Sequence, residues 1–469
     1  MNKIETDINL REVRQQICTE MLEKLSDNLF NKWYPLTIDK EAGGYFTNLT
    51  YDLKIMPEQD KMIVTQARNM WSTAKAAEFF DSMDFYNYSV HGFSFLKNKM
   101  WDNKYGGYFQ IRNRFGDYSD VEGWGEEKRT YGNAFAVYGL AALYKLTSDE
   151  DVLNQIKKSF DWIERHSFDP IQQGYFQFLN RNGIPFGLQS EYKTKASDAF
   201  EVGFKDQNSS IHLLEAYTEL YGIWKDEHVR KQLLGLLNLI RDIITHPKGY
   251  LRLFFEEDWT PISFRNSTKE IREANYRLDH VSFGHDYETA FLMLEASYVL
   301  GLENDIETLE KAKKMMDHAI ENGWDNNNAG FFDEGYYFTE NGKCEIIKDT
   351  KNWWAQAEGL HALLLFSRIF PNEEKYFDLF VRQWDYIKKY LIDETNGDWY
   401  WGSLEKEPFY KTEPKGSIWK CTYHNGRALM NCVKMLSDED FTLYQSNKNF
   451  RCIKEESDNF IGHWRKLSL

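Results

Sequence analysis

The chain has 469 residues, a formal net charge of −16 and 16% aromatic residues. So acidic a balance, with no Lys/Arg-rich run, argues against DNA or RNA as a partner, because a polyanion needs a basic footprint. Five scattered cysteines (Cys18, Cys344, Cys421, Cys432 and Cys452) without a C-x-x-C pair point to reduced thiols and away from a disulfide framework or a zinc site.

The N-terminal stretch Met1 to Arg14 is polar and lacks an apolar signal core. No run approaches the roughly 18 apolar residues that cross a bilayer. These features predict a soluble cytoplasmic protein without a membrane partner. The 15 Trp, 28 Tyr and 33 Phe exceed what a minimal core needs, and flat rings with polar handles suit a carbohydrate groove.

In chain order, Leu10–Trp33 reads as a charged amphipathic helix and is followed by Asp39-Lys-Glu-Ala-Gly-Gly-Tyr-Phe46. That motif recurs as Asp102-Asn-Lys-Tyr-Gly-Gly-Tyr-Phe109, Asp169-Pro-Ile-Gln-Gln-Gly-Tyr-Phe176 and Asp325-Asn-Asn-Asn-Ala-Gly-Phe-Phe332. A looser copy is Asp393-Glu-Thr-Asn-Gly-Asp-Trp-Tyr400, and a degenerate one runs from His246 to Phe254. The copies lie about 60 to 80 residues apart, which suits a helical hairpin plus loops. Each predicts a glycine turn leading into a short aromatic strand.

Between the turns, apolar residues recur at helical spacing in Val64–Asp84, Thr130–Lys145, Asn208–Gly222, Gly284–Leu300, Asn352–Phe370 and Tyr423–Leu436. These segments are rich in small and apolar residues, as helices packed on several sides require. Their partners, Tyr88–Lys99, Glu150–Arg165, Asp226–Ile244, Ile306–Gly323 and Glu373–Leu391, carry one apolar stripe and a charged face, like Leu10–Trp33. Six inner and six outer helices in alternation predict an all-α fold, an (α/α)6 barrel over residues 1–469 as one domain. An open solenoid would need polar capping repeats.

In such a ring the inner helices run the same way, so their N-terminal ends meet at one mouth. Arg68, Tyr131, Asn208, His212, His285, Glu288, Trp353, Trp354, Glu358 and the stretch Trp419 to Arg427 all lie near those ends. His212, His285 and His424 come from three different inner helices. His285 and Glu288 are spaced to share a helix face, where a carboxylate can orient an imidazole. No H-E-x-x-H, phosphate-binding glycine loop or G-x-S-x-G elbow is present. The pattern therefore points to acid/base work on a neutral polyol without metal or other cofactor, with Arg68 available for oxyanion charge.

The chain resembles the N-acylglucosamine 2-epimerase superfamily, and within it the cellobiose 2-epimerases. The resemblance rests on Gln66–Trp71, Tyr131 in Lys128–Phe135, Asn208–Ala216, Gly284–Glu288, Lys351–Glu358 and Trp419–Arg427. It implies the (α/α)6 fold and interconversion of gluco and manno aldoses at C2 through a cis-enediolate, with a small sugar as the partner and a monomer or homodimer as the particle. By position, His285 and His424 exchange the C2 proton, His212 and Arg68 bind the oxygens on C1 and C2, and Glu288 orients His285. Tyr131, Asn208, Trp353, Trp354, Glu358 and Trp419 serve the sugar subsites. Thr422 stands where those enzymes usually carry proline and Ser210 where they usually carry histidine; both positions are expected to flank the pocket.

Related chemistry from the same enediolate includes mannose–glucose epimerisation and aldose–ketose isomerisation. Outside the isomerases, an (α/α)6 glycoside hydrolase would need two carboxylates flanking the scissile bond, and a binding protein would keep the aromatic groove alone. The polar segment Gln189–Phe204 is read as a loop over the aglycone side.

Overall fold

A computed structural model describes residues 3–188, 199–302, 305–339 and 342–437. Residues 189–198 of the Gln189–Phe204 segment, together with Cys452 and His463, lie outside these ranges. The four described cysteines are free thiols. No helix among the described residues is long and apolar enough to cross a membrane.

The chain forms an (α/α)6 barrel. Its inner ring consists of α2 (Ile63–Phe80), α4 (Thr130–Thr147), α6 (Gln207–Ile223), α9 (Phe283–Val299), α11 (Trp353–Ile369) and α13 (Tyr423–Ser437). Each packs on the next, and α13 returns to α2 to close the ring. The outer helices are α1 (Lys3–Glu23), α3 (Met83–Phe95), α5 (Glu150–His166), α7 (Glu227–Leu239), α10 (Ile306–Gly323) and α12 (Lys375–Tyr390). A longer additional helix, α8 (Lys269–Asp279), precedes α9 and does not follow from the periodicity.

Composition explains the two layers. In α4 every residue from Thr130 to Leu143 is buried, and Ala134, Ala136, Gly139, Ala141 and Ala142 permit close approach from both neighbours. In α5 the buried set includes Val152, Ile156, Phe160 and Ile163, a single stripe at spacings of three and four. The predicted inner segment Val64–Asp84 ends early. Asp81 adopts left-handed φ 49° and donates its N–H to the Ala77 carbonyl. That cap starts the next outer helix at Met83, ahead of the expected Tyr88.

All six turns close with one bridge, which joins residues seven apart in five of them and six apart in the degenerate fourth copy. The residue just before the turn bridges its aromatic or apolar residue in Ile38–Tyr45, Trp101–Tyr108, Phe168–Tyr175, Thr245–Leu251, Trp324–Phe331 and Ile392–Trp399. The expected aromatic strand is therefore a single bridge. In the second turn Gly107 has φ 71°, and a Cβ there would lie 2.5 Å from the Trp162 ring. Short antiparallel pairs then stitch the entry of each inner helix to the chain beyond a neighbouring turn, as in Lys61–Arg112, Glu127–Asn180 and Lys205–Phe255. Asn352–Gly402 and Leu49–Gly416 complete the circle.

A buried ion pair locks each of five turns to the entry of its inner helix. Lys61 reaches Asp39 at 2.9 Å, Lys128 reaches Asp102 at 3.0 Å and Lys205 reaches Asp169 at 2.7 Å. Lys351 reaches Asp325 at 2.8 Å and Lys415 reaches Asp393 at 2.6 Å. Each lysine also donates to a carbonyl of the same turn, for example Gln173 at 3.0 Å and Ala329 at 2.8 Å. In the fourth turn His246 stands in the aspartate position and Val281 in the lysine position. Both charges are exchanged together, as expected when half a buried pair costs more than none.

Lys205→Val alone should therefore destabilise the protein by about 3 to 5 kcal/mol in chemical denaturation, since it strands the Asp169 carboxylate. Adding Asp169→His, which copies the fourth turn, should return part of that loss. A double variant with fully additive losses would refute the coupling.

Candidate active site

The inner-helix N-termini meet at an open cavity of about 370 Å3. Its lining includes Arg68 from α2, Tyr131 from α4, Asn208 and His212 from α6, and His285 and Glu288 from α9. Trp353 and Trp354 open α11, His424 opens α13, and Trp419 lies just before α13. The structure thus brings together ten of the eleven residues expected from sequence. The eleventh, Glu358, lies behind the wall.

Each imidazole is braced through Nδ1. His212 Nδ1 lies 2.8 Å from Glu215 Oε2, His424 Nδ1 lies 2.7 Å from Glu358 Oε1, and His285 Nδ1 lies 2.8 Å from Ser282 Oγ. Engagement of Nδ1 leaves Nε2 for the cavity. His285 and His424 both pack against Trp354, with ring centroids 4.8 Å and 5.8 Å from it. Gly284 makes that contact possible, because a Cβ there would lie 2.5 Å from the Trp354 ring.

The structure departs from expectation at Glu288, Glu358, Thr422 and Ser210. Glu288 does not orient His285: its Oε1 accepts from Arg427 Nη2 at 2.6 Å, while Ser282 serves His285. Glu358 is fully buried and backs His424, so it is no cavity-lining sugar ligand. Nor do the two departures from the family pattern flank the cavity. Thr422 Oγ1 lies 3.0 Å from the Tyr34 hydroxyl, and Ser210 donates to the Asp206 carbonyl at 2.8 Å.

Arg427, the last residue of the aromatic-rich stretch, organises the floor. Its guanidinium bonds Glu215, Glu288 and Glu358 from three different inner helices. The Tyr423 hydroxyl also donates to Glu215, at 2.5 Å. Burial raises the Glu215 carboxyl, but Arg427 and the bonds from His212 and Tyr423 outweigh it and hold the group at about 2. Glu288, Glu358 and His424 have ligand-type atoms within 4.8 Å of one another. There the Arg427 guanidinium supplies the positive charge that the two carboxylates share. Sequence reading missed Glu215, Ser282 and Arg427 as working residues. The first and last lie inside the motifs noted above, and Ser282 is three residues before His285.

Arg68 is held by cation–π contacts with Phe135 and Tyr423, at 4.2 Å and 4.8 Å, and donates to the Tyr131 hydroxyl at 2.8 Å. Among the described residues, Arg68 Nε, Asn208 Oδ1, Glu288 Oε2 and Trp353 Nε1 have no protein hydrogen-bond partner. Buried polar atoms of this kind are costly unless something bonds them. A polyol offers both donors and acceptors.

Burial dominates the electrostatics of the proton-transfer candidates. It pulls the His285 imidazole down to about 3, helped by His212 and His280. It also holds His424 well below its ordinary value, together with Arg68 and Arg427, and pushes the Glu358 carboxyl well above the usual range. In both groups burial favours the uncharged form, against the pull of Arg427 on Glu358 Oε1 at 2.7 Å. Farther out, the cavity continues past the tryptophans to Trp401, Asp333, Lys348, Glu407 and Tyr410.

The sequence model of the N-acylglucosamine 2-epimerase (GlcNAc 2-epimerase) family matches residues 44–428. The cellobiose 2-epimerase of Bacteroides fragilis is 28% identical over 420 residues, 89% of this chain and 98% of its own. That of Ruminococcus albus is 30% identical over 428 residues, covering 88% of this chain and 98% of its own. The solved cellobiose 2-epimerase of Bacillus thermoamylovorans aligns with a TM-score of 0.76 at 25% identity, over 90% of this chain and 99% of that one. With the match running from the first turn into the sixth inner helix, the chain belongs to the N-acylglucosamine 2-epimerase family.

Proposed function

We propose that this protein interconverts gluco and manno configurations at C2 of a reducing-end aldose, that of cellobiose or a related β-1,4-disaccharide. The enzyme class, an isomerase of the carbohydrate epimerase kind, goes with family membership. The observation that carries the reaction is the pair His285 and His424, both against Trp354, with buried Arg68 lining the same cavity.

The reaction needs an open-chain aldose, one group to take the C2 proton and another to return it on the other face. His285 Nε2 takes the proton, and the C2–H electrons form the C1=C2 bond of a cis-enediolate as O1 becomes anionic. Arg68, with His212, meets the charge on O1 and O2. After rotation about C2–C3, His424 Nε2 returns a proton to C2 while the Glu358 proton passes to Nδ1. The reverse reaction uses His285 as acid and His424 as base. A disaccharide accords with the substrate in the relatives' names and with the outer cavity around Trp401, Asp333, Lys348, Glu407 and Tyr410.

In D2O, incubation with cellobiose should place deuterium at C2 and yield the C2 epimer, followed by NMR; mannobiose, glucose and mannose serve as parallel substrates. A dominant ketose product would move the assignment to an aldose–ketose isomerase, and released monosaccharide would point to a hydrolase. His285→Ala and His424→Ala should each lower turnover by about 10²- to 10⁴-fold while sugar binding persists in calorimetry. Near-normal turnover in either variant would remove the two-histidine scheme.

The pH profile carries a sign. A base whose pKa is lowered to about 3 stays unprotonated as pH falls through the ordinary histidine range. The kcat/KM profile should therefore run flat between about pH 8 and pH 5, with no break at the ordinary histidine value. An acid limb centred near that value would contradict the buried, neutral resting state of His285.

A further inference from the structure

Among the described residues, three imidazoles face the cavity and two of them are backed by a carboxylate. His212 has Glu215 and His424 has Glu358. His285, paired by sequence with Glu288, loses that carboxylate to Arg427. Among the described residues its hydrogen-bond partner is the Ser282 hydroxyl, 2.8 Å from Nδ1.

Ser282 occupies the N-cap of α9 with extended backbone, φ −100° and ψ 95°, but its side chain makes no capping bond. Serine is favoured at that position because its oxygen can accept from a first-turn N–H. At the matching position of α6, Asp206 accepts from the Ser209 N–H, and in α11 Asn352 accepts from the Ala355 N–H. Ser282 instead directs its oxygen to the imidazole. Its backbone is held by pairing of Val281–Ser282 with Gly335 and Glu334, and the side chain is buried. The Trp354 ring, 4.8 Å away, packs against the imidazole.

We propose that Ser282 is a positioning residue that holds His285 as the Nδ1–H tautomer and leaves Nε2 as the proton acceptor facing the cavity. The proposal rests on the two-histidine reading above and extends it. A group that cycles between an Nε2 lone pair and an imidazolium keeps its Nδ1 proton throughout. The Ser282 oxygen can therefore accept the same hydrogen bond in both states. A hydroxyl, unlike a carboxylate, adds no full negative charge to stabilise the imidazolium, so His285 remains a weak base that releases its proton readily. The two sides of the transfer are then unequal: a carboxyl-coupled imidazole at His424 and a hydroxyl-tethered one at His285. The titratable groups around His285 are His212, His280, His424 and Glu288, and burial keeps the ring neutral so that its tautomer is defined.

The test uses the full chain labelled with 15N-histidine and long-range 1H–15N correlation at neutral pH, with the His285 signals assigned by their loss in His285→Gln. The wild type should show protonated Nδ1 and unprotonated Nε2. Ser282→Ala should shift the ring toward the Nε2–H tautomer and lower kcat about 10- to 100-fold, with KM changed less than about threefold. Ser282→Thr, which keeps the hydroxyl, should restore both readouts, separating positioning from a packing defect. An Nε2–H tautomer in the wild type would overturn the proposal, as would an unchanged tautomer and kcat in Ser282→Ala. Should the wild type show the Nδ1–H tautomer but place no deuterium at C2, the epimerase reading fails while the tautomer assignment stands.

Discussion

The buried lysine–aspartate pair is the constraint on which the rest of the architecture depends. In each of five repeats the aspartate Oδ1 accepts backbone N–H groups within the turn, as Asp169 does from Ile171 and Gln172, while Oδ2 takes the lysine from the next inner-helix entry. One carboxylate thus shapes the turn and fixes where the following helix begins. The pair is expensive to bury: Lys61 and Lys128 are pulled down to about 8 by desolvation. A pair so costly to bury is weak evidence of net stabilisation, and in the fourth repeat both partners are replaced together, by His246 and Val281.

From that constraint the mouth follows. Six similarly oriented inner helices deliver their N-terminal ends to one cavity, and the positive ends of their dipoles suit an anionic oxygen there. Below it, Glu215, Glu288 and Glu358 share Arg427. Removing that guanidinium would leave three buried carboxyl groups without their shared cation. The floor therefore braces the imidazoles from behind, and His212 and His424 gain fixed orientation through Nδ1 without losing Nε2. The same network explains why Glu288, adjacent to His285 on α9, is unavailable to it.

Thr422 and Ser210, expected to flank the pocket, lie outside the cavity lining. Each is fully buried and bonded to its own scaffold, Thr422 to Tyr34 and Ser210 to the Asp206 carbonyl. Neither touches the cavity, so sugar preference must be sought among groups that do. Asp333 is one: it accepts from the backbone N–H and the side-chain amide of Asn352, the residue that caps α11 just before Trp353 and Trp354.

The sequence alone determined the repeat, the alternation of helices and ten of the residues that line the cavity, while Trp401, Asp333, Lys348, Glu407 and Tyr410 farther out carried no signal. Those properties are local or periodic: the Asp-to-aromatic turn, small residues all round α4 against one stripe on α5, and unusual residues at helix starts. Element ends were less legible where a left-handed cap such as Asp81 interrupts continuous apolar character, and α8 carried no repeat signal. Only tertiary structure decided which partner each functional group takes. Glu288 and His285 are near neighbours in sequence, yet Arg427, 139 residues beyond Glu288, claims the carboxylate. Glu358 and His424, 66 residues apart, meet at 2.7 Å. Hydrogen bonds between buried charged groups are chosen by three-dimensional proximity and by the need to compensate charge, and neither is a function of spacing along the chain.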